Sequence, residues 1–361
     1  MSENNIDKLA VSFVHGYNET DIKLEGEVFP SLLVYNGKNN STYNYPFPRN
    51  ISDFLYYKDI LKGISPLKGS SNFKRLPRFG LTGIKEVNDY IFAGSWNSVY
   101  KIKKSDFSIV SIISNNLMSD LHGIYVDENK IITVLTGKDT IVISDHDGDI
   151  IDHFTIKKDL SVVKDKSIEN TDWRFLSKQF RGSTGIWHFN YVQVINDEIW
   201  LTSRNTNSFV IYNLNTNNCR VKTMNLCTPA LVHDGLLYED KYYFTSIDGK
   251  IIIAKEPDKE KTVREWHEGL NLYNRDLETK VIRINETNYA KEPNWCRGIS
   301  MNKNNIYVTI DGRYDSDLSF GILKINQKEE AQIVTRLNWS DIGDPSKIKY
   351  VTGFDVICFN N

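Results

Sequence analysis

The chain has 361 residues, 40% of them hydrophobic and 25% charged, with a formal net charge of -2. That balance excludes a fibrous or disordered polymer and lacks the clustered positive charge on which nucleic-acid binding rests. No apolar run approaches the ~18 residues of a membrane helix, and the opening MSENNIDKLAV has neither the basic end nor the apolar centre of a secretory signal.

The four cysteines, Cys219, Cys227, Cys296 and Cys358, show no zinc spacing and are too sparse for a disulfide scaffold. Free thiols in a reducing cytoplasm are the expectation.

In chain order, KLAVSFVHGYN, FPSLLVYN and STYNYPF read as three strands. Residues 48 to 80 follow as a long insertion. It contains a predicted helix, SDFLYYKDILKG, with Ser52 at its start and Gly63 near its stop, and then a basic loop, KGSSNFKRLPRF.

From residue 81 one pattern repeats: a short apolar strand begun by a polar residue, usually then Gly, an Asn/Asp/Lys-rich turn, and a second apolar strand. Its copies are LTGIKEVNDYIFAGS at 81, LHGIYVDENKIITVLT at 121, FNYVQVINDEIWLTS at 189, HDGLLYEDKYYFTS at 233 and CRGISMNKNNIYVTI at 296. From Gly83, Gly123, Tyr191, Gly235 and Gly298 to the first residue of the following strand the spacing is always eight. Third and fourth strands follow most copies, as in SVYKI with SIVSII and SFVIYNL with RVKTMNL. The turn DHDGD at 145 to 149 has the Asp and Gly that a tight hairpin wants and is not read as a calcium loop.

A strand-rich unit of this length repeated about six times predicts an all-β fold, a six-bladed β-propeller. The last copy, VTGFDVICFNN at 351, is cut short. Its outer strands must come from residues 8–48, so N-terminal strands pairing with the C-terminal strand close the ring. The chain 1–361 is therefore one domain, with blades starting near 81, 120, 187, 231, 295 and 350. Further insertions at 157 to 187, with the helical stretch TDWRFLSKQFRG, and at 268 to 294 are expected to roof the same face as 48 to 80.

The residue before each Gly-like position is Thr82, His122, Asn190, Asp234, Arg297 and Thr352, polar every time. Innermost propeller strands start at the axis, so these side chains should gather at one channel mouth, with His188 and His233 beside them. Unlike titratable groups at close range are costly to assemble unless they are paired or used. Two chemistries stay open. His122, His188 and His233 or Asp234 would hold a divalent metal ion as the cofactor. Alternatively His122 or His188 is a general base oriented by Asp234, and Arg297 grips an oxyanion. Turns after the second strands add Trp96, Lys138, Arg204 and Arg313, which suit a polar, partly anionic small molecule. His15, His146, His153 and His267 fall on outer strands or turns and receive no role.

DLHGI at 120, HFNYV at 188, HDG at 233 and RGISM at 297 followed by GRYDSDLSFGILKI resemble a bacterial family of six-bladed propellers defined only as a domain of unknown function. The resemblance covers about residues 75 to 358. More distantly the chain is similar to gluconolactonase and streptogramin lyase propellers, a resemblance that implies a metal-assisted site at the channel mouth. Thr82 stands where the gluconolactonase pattern has a glutamate.

The expectation is thus a site for a small-molecule ligand, with no nucleic-acid or membrane partner. Its activity would be that of a lyase or hydrolase on a polar, anionic, sugar-like substrate. His122, His188 and Asp234 would do the chemistry, and Thr82, Trp96, Asn190, Arg204, Arg297, Arg313 and Thr352 would bind. A non-catalytic carbohydrate- or protein-binding module is the alternative.

Overall fold

The computed structural model describes residues 8–17, 30–36, 41–46, 79–95, 97–136, 139–171, 173, 186–223, 232–255, 278–283, 295–302, 305–311, 319–326, 328, 330–338 and 348–359. The predicted helices at 52–63 and 171–182 fall almost wholly outside these residues, as do Trp96, Lys138, Arg313 and Cys227. So do the side chains of His15 and Thr352.

β-Branched and aromatic residues build six antiparallel sheets. Blade 1 runs outward through Ile84–Val87, Tyr90–Gly94, Val99–Lys103 and Ile109–Ile113, and blade 2 through Leu121–Val126, Ile131–Leu135, Thr140–Ser144, Ile150–Ile156 and Val162–Val163. Blade 3 is Phe189–Ile195, Glu198–Ser203, Ser208–Asn213 and Cys219–Thr223; blade 4 is Val232–Tyr238, Lys241–Ser246, Lys250–Lys255 and Glu278–Arg283. Blade 5 is Trp295–Asn302, Asn305–Asp311, Ser319–Ile325 and Ala331–Asn338. Two-residue turns join the first two strands of blades 1, 3 and 4, with Asn88, Asn196 and Glu239 left-handed at φ 51°, 54° and 55°.

The closing blade is sewn from both ends of the chain. Ile348–Cys358 is innermost, followed by Lys8–Tyr17, Pro30–Asn36 and Ser41–Pro46, and Phe79–Gly80 adds to Lys8–Tyr17. Innermost strands touch in the order closing blade, 1, 2, 3, 4, 5 and back to the closing blade, so the ring is complete. The fold is the expected six-bladed β-propeller.

Six hydrophobic clusters fill the ring, essentially one at each contact between neighbouring blades. Between blades 2 and 3, for example, Ile132, Phe154, Trp187, Leu201 and Tyr212 interdigitate. A single blade has no private core, and stability comes from stacking.

The Gly of the repeat serves the crowded centre. A Cβ at Gly123 would lie 2.8 Å from the Asn190 carbonyl oxygen, and one at Gly298, which also has φ 42°, would lie 2.7 Å from Cα of Asp355. Bare Cα atoms let neighbouring inner strands close on the axis. Among the described residues no helix is long and apolar enough to cross a membrane.

Candidate functional site

Each inner strand of blades 2 to 5 and of the closing blade carries a register shift at or next to its Gly-like position. Opposite the second strand, His122 is the extra residue in blade 2 and Asn190 in blade 3. In blade 4 His233 and Asp234 share one partner position; in blade 5 the extra residue is Gly298, and in the closing blade Phe354. A bulge leaves a residue outside the ladder and re-aims its side chain. This settles the His233 and Asp234 alternation: both are buried and hydrogen-bonded to each other, Nδ1 to Oδ1, at 2.8 Å.

His188 does not belong to the strand at all. It is left-handed, φ 52°, so the two-residue alternation linking it to Asn190 fails. The fully buried Asp139 of blade 2 holds that conformation: its carboxylate accepts from the backbone N–H of His188 at 2.8 Å and of Trp187 at 3.1 Å. On the other side the Arg204 N–H donates to the His188 carbonyl at 3.2 Å.

The centre of the mouth is Phe354. Its counterparts on the other blades, Ile84, Ile124, Val192, Leu236 and Ile299, pack in the clusters between blades. The bulge turns Phe354 to the channel instead. Its ring meets His122 edge-on at 5.6 Å and His233 at 5.2 Å, and carries the Arg297 guanidinium at 5.2 Å. His122 in turn meets His188 at 5.7 Å, and Arg297 also lies over Trp295 at 4.5 Å. Nδ1 of His122 is 3.0 Å from the Asp120 carbonyl oxygen, which can only accept, so Nδ1 carries a proton, and in the neutral ring the lone pair is on Nε2.

Two predicted binders are buried with polar atoms that find no protein partner. Asn190 is 1% exposed, and neither its amide oxygen nor its nitrogen is hydrogen-bonded; the same holds for Oγ1 of Thr82. Buried polar groups are ordinarily satisfied, so these atoms point to a polar guest.

Among the described residues no three His, Cys, Asp or Glu side chains gather as a metal site. His122 and His188 meet ring to ring, and His122 and His233 each pack on Phe354.

A second tier lies one step along the channel. Lys85 of blade 1 reaches past blade 2 to Tyr191 of blade 3, Nζ to hydroxyl oxygen 3.0 Å, with the ammonium 4.4 Å above the Tyr191 ring. Its other partner is Asp355 at 3.5 Å, whose Oδ2 also accepts from the Ile84 N–H at 2.9 Å. Asp234 repeats that clasp, accepting from the Gly298 N–H of the next blade.

Burial raises both carboxyls, Asp234 to about 7 against the pull of Arg297, and Asp355 to about 6 against the pull of Lys85. Burial works to lower Lys85, but Asp355 and Tyr191 outweigh it and hold the ammonium charged. Burial raises Tyr191, partly offset by Lys85, so the phenol stays protonated.

Phe354, Lys85, Tyr191, Asp355 and Asp139 are absent from the predicted site. A Lys and an Asp two residues past the repeat Gly, in otherwise apolar strands, were the available signal for Lys85 and Asp355.

No family model matches the chain, and no curated protein matches it. Among solved structures, a protein of unknown function from Bacteroides caccae is similar over 99% of this chain and 100% of that one, at TM-score 0.55 and 10% identity. A putative 6-phosphogluconolactonase from Bacteroides uniformis matches 92% of this chain and 83% of its own, with TM-score 0.44 and 10% identity. The β-propeller domain of Myceliophteria thermophila Cps50 (Swd1) matches 72% and 85%, with TM-score 0.43 and 8% identity. The Bacteroides caccae likeness shows the fold alone.

Proposed function

We propose that the channel mouth binds a polar, anionic small molecule and acts on it as a lyase or hydrolase by acid–base chemistry. One observation carries the reading: His122, His233 and Arg297, from three blades, converge on the single ring of Phe354, with His188 against His122. His122 presents the lone pair of a base. Asp234, raised to about 7 by burial, is a carboxyl that can give or take a proton near neutrality, and His188 serves as the partner acid. Arg297 grips the oxyanion, while Asn190 and Thr82 bind neighbouring polar atoms. Arg204, Trp96, Arg313 and Thr352 remain binders in the same proposal. Among the described residues Cys219, Cys296 and Cys358 form no disulfide, which suits a reducing cytoplasm.

The test is turnover on a panel of lactones, esters and hydroxy acids bearing carboxylate, phosphate or sulfate groups. His122→Ala, and His188→Asn because Asn tolerates the left-handed backbone, are expected to lower turnover by roughly 10²–10⁴-fold with melting unchanged. No turnover anywhere on the panel, or full activity in both variants, overturns the reading.

A second reading is favoured by the guanidinium of Arg297 layered on Trp295 at 4.5 Å. An aromatic backed by a cation holds a carbohydrate or a protein side chain without chemistry. Binding that survives loss of both imidazoles would support it.

A further inference from the structure

His188 and His233 stand at the entries of consecutive inner strands, and each entry is clasped from the blade before it. Asp139 directly precedes the third strand of blade 2, Thr140–Ser144, and Asn207 directly precedes the third strand of blade 3, Ser208–Asn213. Both are left-handed, at φ 50° and 48°, a conformation that the short polar side chains of Asp and Asn tolerate. From there each side chain reaches the next blade. The carboxylate oxygens of Asp139 accept from the His188 N–H at 2.8 Å and the Trp187 N–H at 3.1 Å, and Oδ1 of Asn207 accepts from the N–H of Val232, next to His233, at 3.1 Å.

The first entry is also held from its own blade. The Trp187 carbonyl accepts from the Ser203 hydroxyl at 2.7 Å and the Asn205 N–H at 3.2 Å, and the His188 carbonyl accepts from the Arg204 N–H at 3.2 Å. Both N–H and both C=O groups of the dipeptide are thus bonded. The other junctions differ: Gly249, φ 77°, precedes the third strand of blade 4 and has no side chain to reach the strand of Arg297, while Ser98 of blade 1 bonds Ser95 within its own turn at 2.8 Å.

We propose that Asp139 and Asn207 are positioning residues of the channel mouth, each fixing from the preceding blade where the next blade's imidazole stands. The inference rests on the acid–base reading above and adds that the reacting geometry is set at the seams between blades.

The ladder cannot do this work, because His188 precedes the first paired residue of its strand, Phe189, and His233 lies in a bulge. A left-handed backbone is unfavourable for His by itself. Without Asp139 the entry relaxes toward extended backbone, and the imidazole leaves its place 5.7 Å from the His122 ring.

Asp139→Gly and Asn207→Gly keep the left-handed backbone and remove only the acceptors. Proton–carbon spectra of protein with isotope-labelled histidine rings, assigned with His188→Asn, report each imidazole without any ligand. Asp139→Gly is expected to move the His188 signal and leave His233 in place, and Asn207→Gly to do the converse. On the panel of lactones, esters and hydroxy acids, Asp139→Gly should lower kcat roughly 10²-fold with KM within about twofold, the cost of a small misplacement of a reacting group. Asp139→Asn, which retains one acceptor, should recover part of that loss. Val210→Ala, a core truncation between blades 2 and 3, gives the effect of lost stability alone and should keep the parental kcat. Imidazole signals unmoved in both glycine variants, or a kcat loss no greater than that of Val210→Ala, overturn the positioning role and leave the acid–base reading standing. A parent that turns over nothing on the panel removes that reading; the imidazole signals then decide alone, displaced ones supporting the positioning role and unmoved ones overturning it.

Discussion

The ammonium of Lys85 hydrogen-bonds the phenol oxygen of Tyr191 at 3.0 Å, although a whole blade separates their inner strands. With Asp355 as its second partner, one side chain ties together three blades across the axis. An ion pair of this kind is retained because removing one member strands the other as a buried charge.

Lys85→Met therefore should be destabilising, and more so at high pH. At pH 8 Asp355, whose pKa rises further once Lys85 no longer pulls it down, must either stay ionised unpaired or take up a proton, at a cost of up to about 3 kcal/mol; at pH 5 it is largely neutral already and the cost falls by half or more. Urea unfolding at the two pH values measures this, and equal losses would refute it.

Asp234 gives the protein a stability that depends on acidity. Its folded pKa of about 7 lies above the ordinary carboxyl value of 3.8, so the folded state holds the proton more tightly than the unfolded chain. The associated stability is complete below about pH 4 and is lost as pH rises to about 7, by a few kcal/mol in total. Asp355 adds the same sign, ending near 6. Asp234→Asn should be less sensitive than the parent between pH 4 and pH 8 in denaturant titrations. A parent that gains stability relative to the variant over that interval contradicts the assignment.

Asp139→Ala leaves the buried N–H groups of Trp187 and His188 without their acceptor, at ~1–3 kcal/mol each. Asn207 acts similarly on the following blade, its Oδ1 accepting from the Val232 N–H at 3.1 Å. Asn207→Ala loses one such bond and should cost about half as much. Guanidinium melts of the two variants decide the ordering.

Gly298→Ala meets backbone rather than a yielding side chain, and at φ 42° the new residue is strained as well. A loss above ~2 kcal/mol is expected, together with weaker amide protection along Ile348–Cys358. Unchanged hydrogen exchange on that strand would show that neighbouring strands adjust freely.

The fold was legible because the repeat obeys one spacing, and every blade needs the same two-period hairpin to present an apolar face to each neighbour. The same spacing is what singled out His122 and Arg297, which with His233 meet on the ring of Phe354. What could not be read is which way a side chain turns where alternation breaks. Phe354 occupies a position that is aliphatic and between blades in the other five copies, and only a register shift puts it on the axis. The Lys85 contact with Tyr191 joins residues 106 positions apart through the hollow of the ring, where no local pattern reports it. His188 was expected near His122 from strand alternation. It arrives there by a left-handed turn held by Asp139, a residue that reads as an ordinary turn former.

The sheet that joins Lys8–Tyr17 to Ile348–Cys358 has a consequence for biogenesis. As the polypeptide leaves the ribosome, the five blades between these two strands are made before Lys8–Tyr17 can meet its inner partner. Until Ile348–Cys358 emerges, the nascent protein is an open arc with two exposed flanks, the state in which a chaperone would be needed.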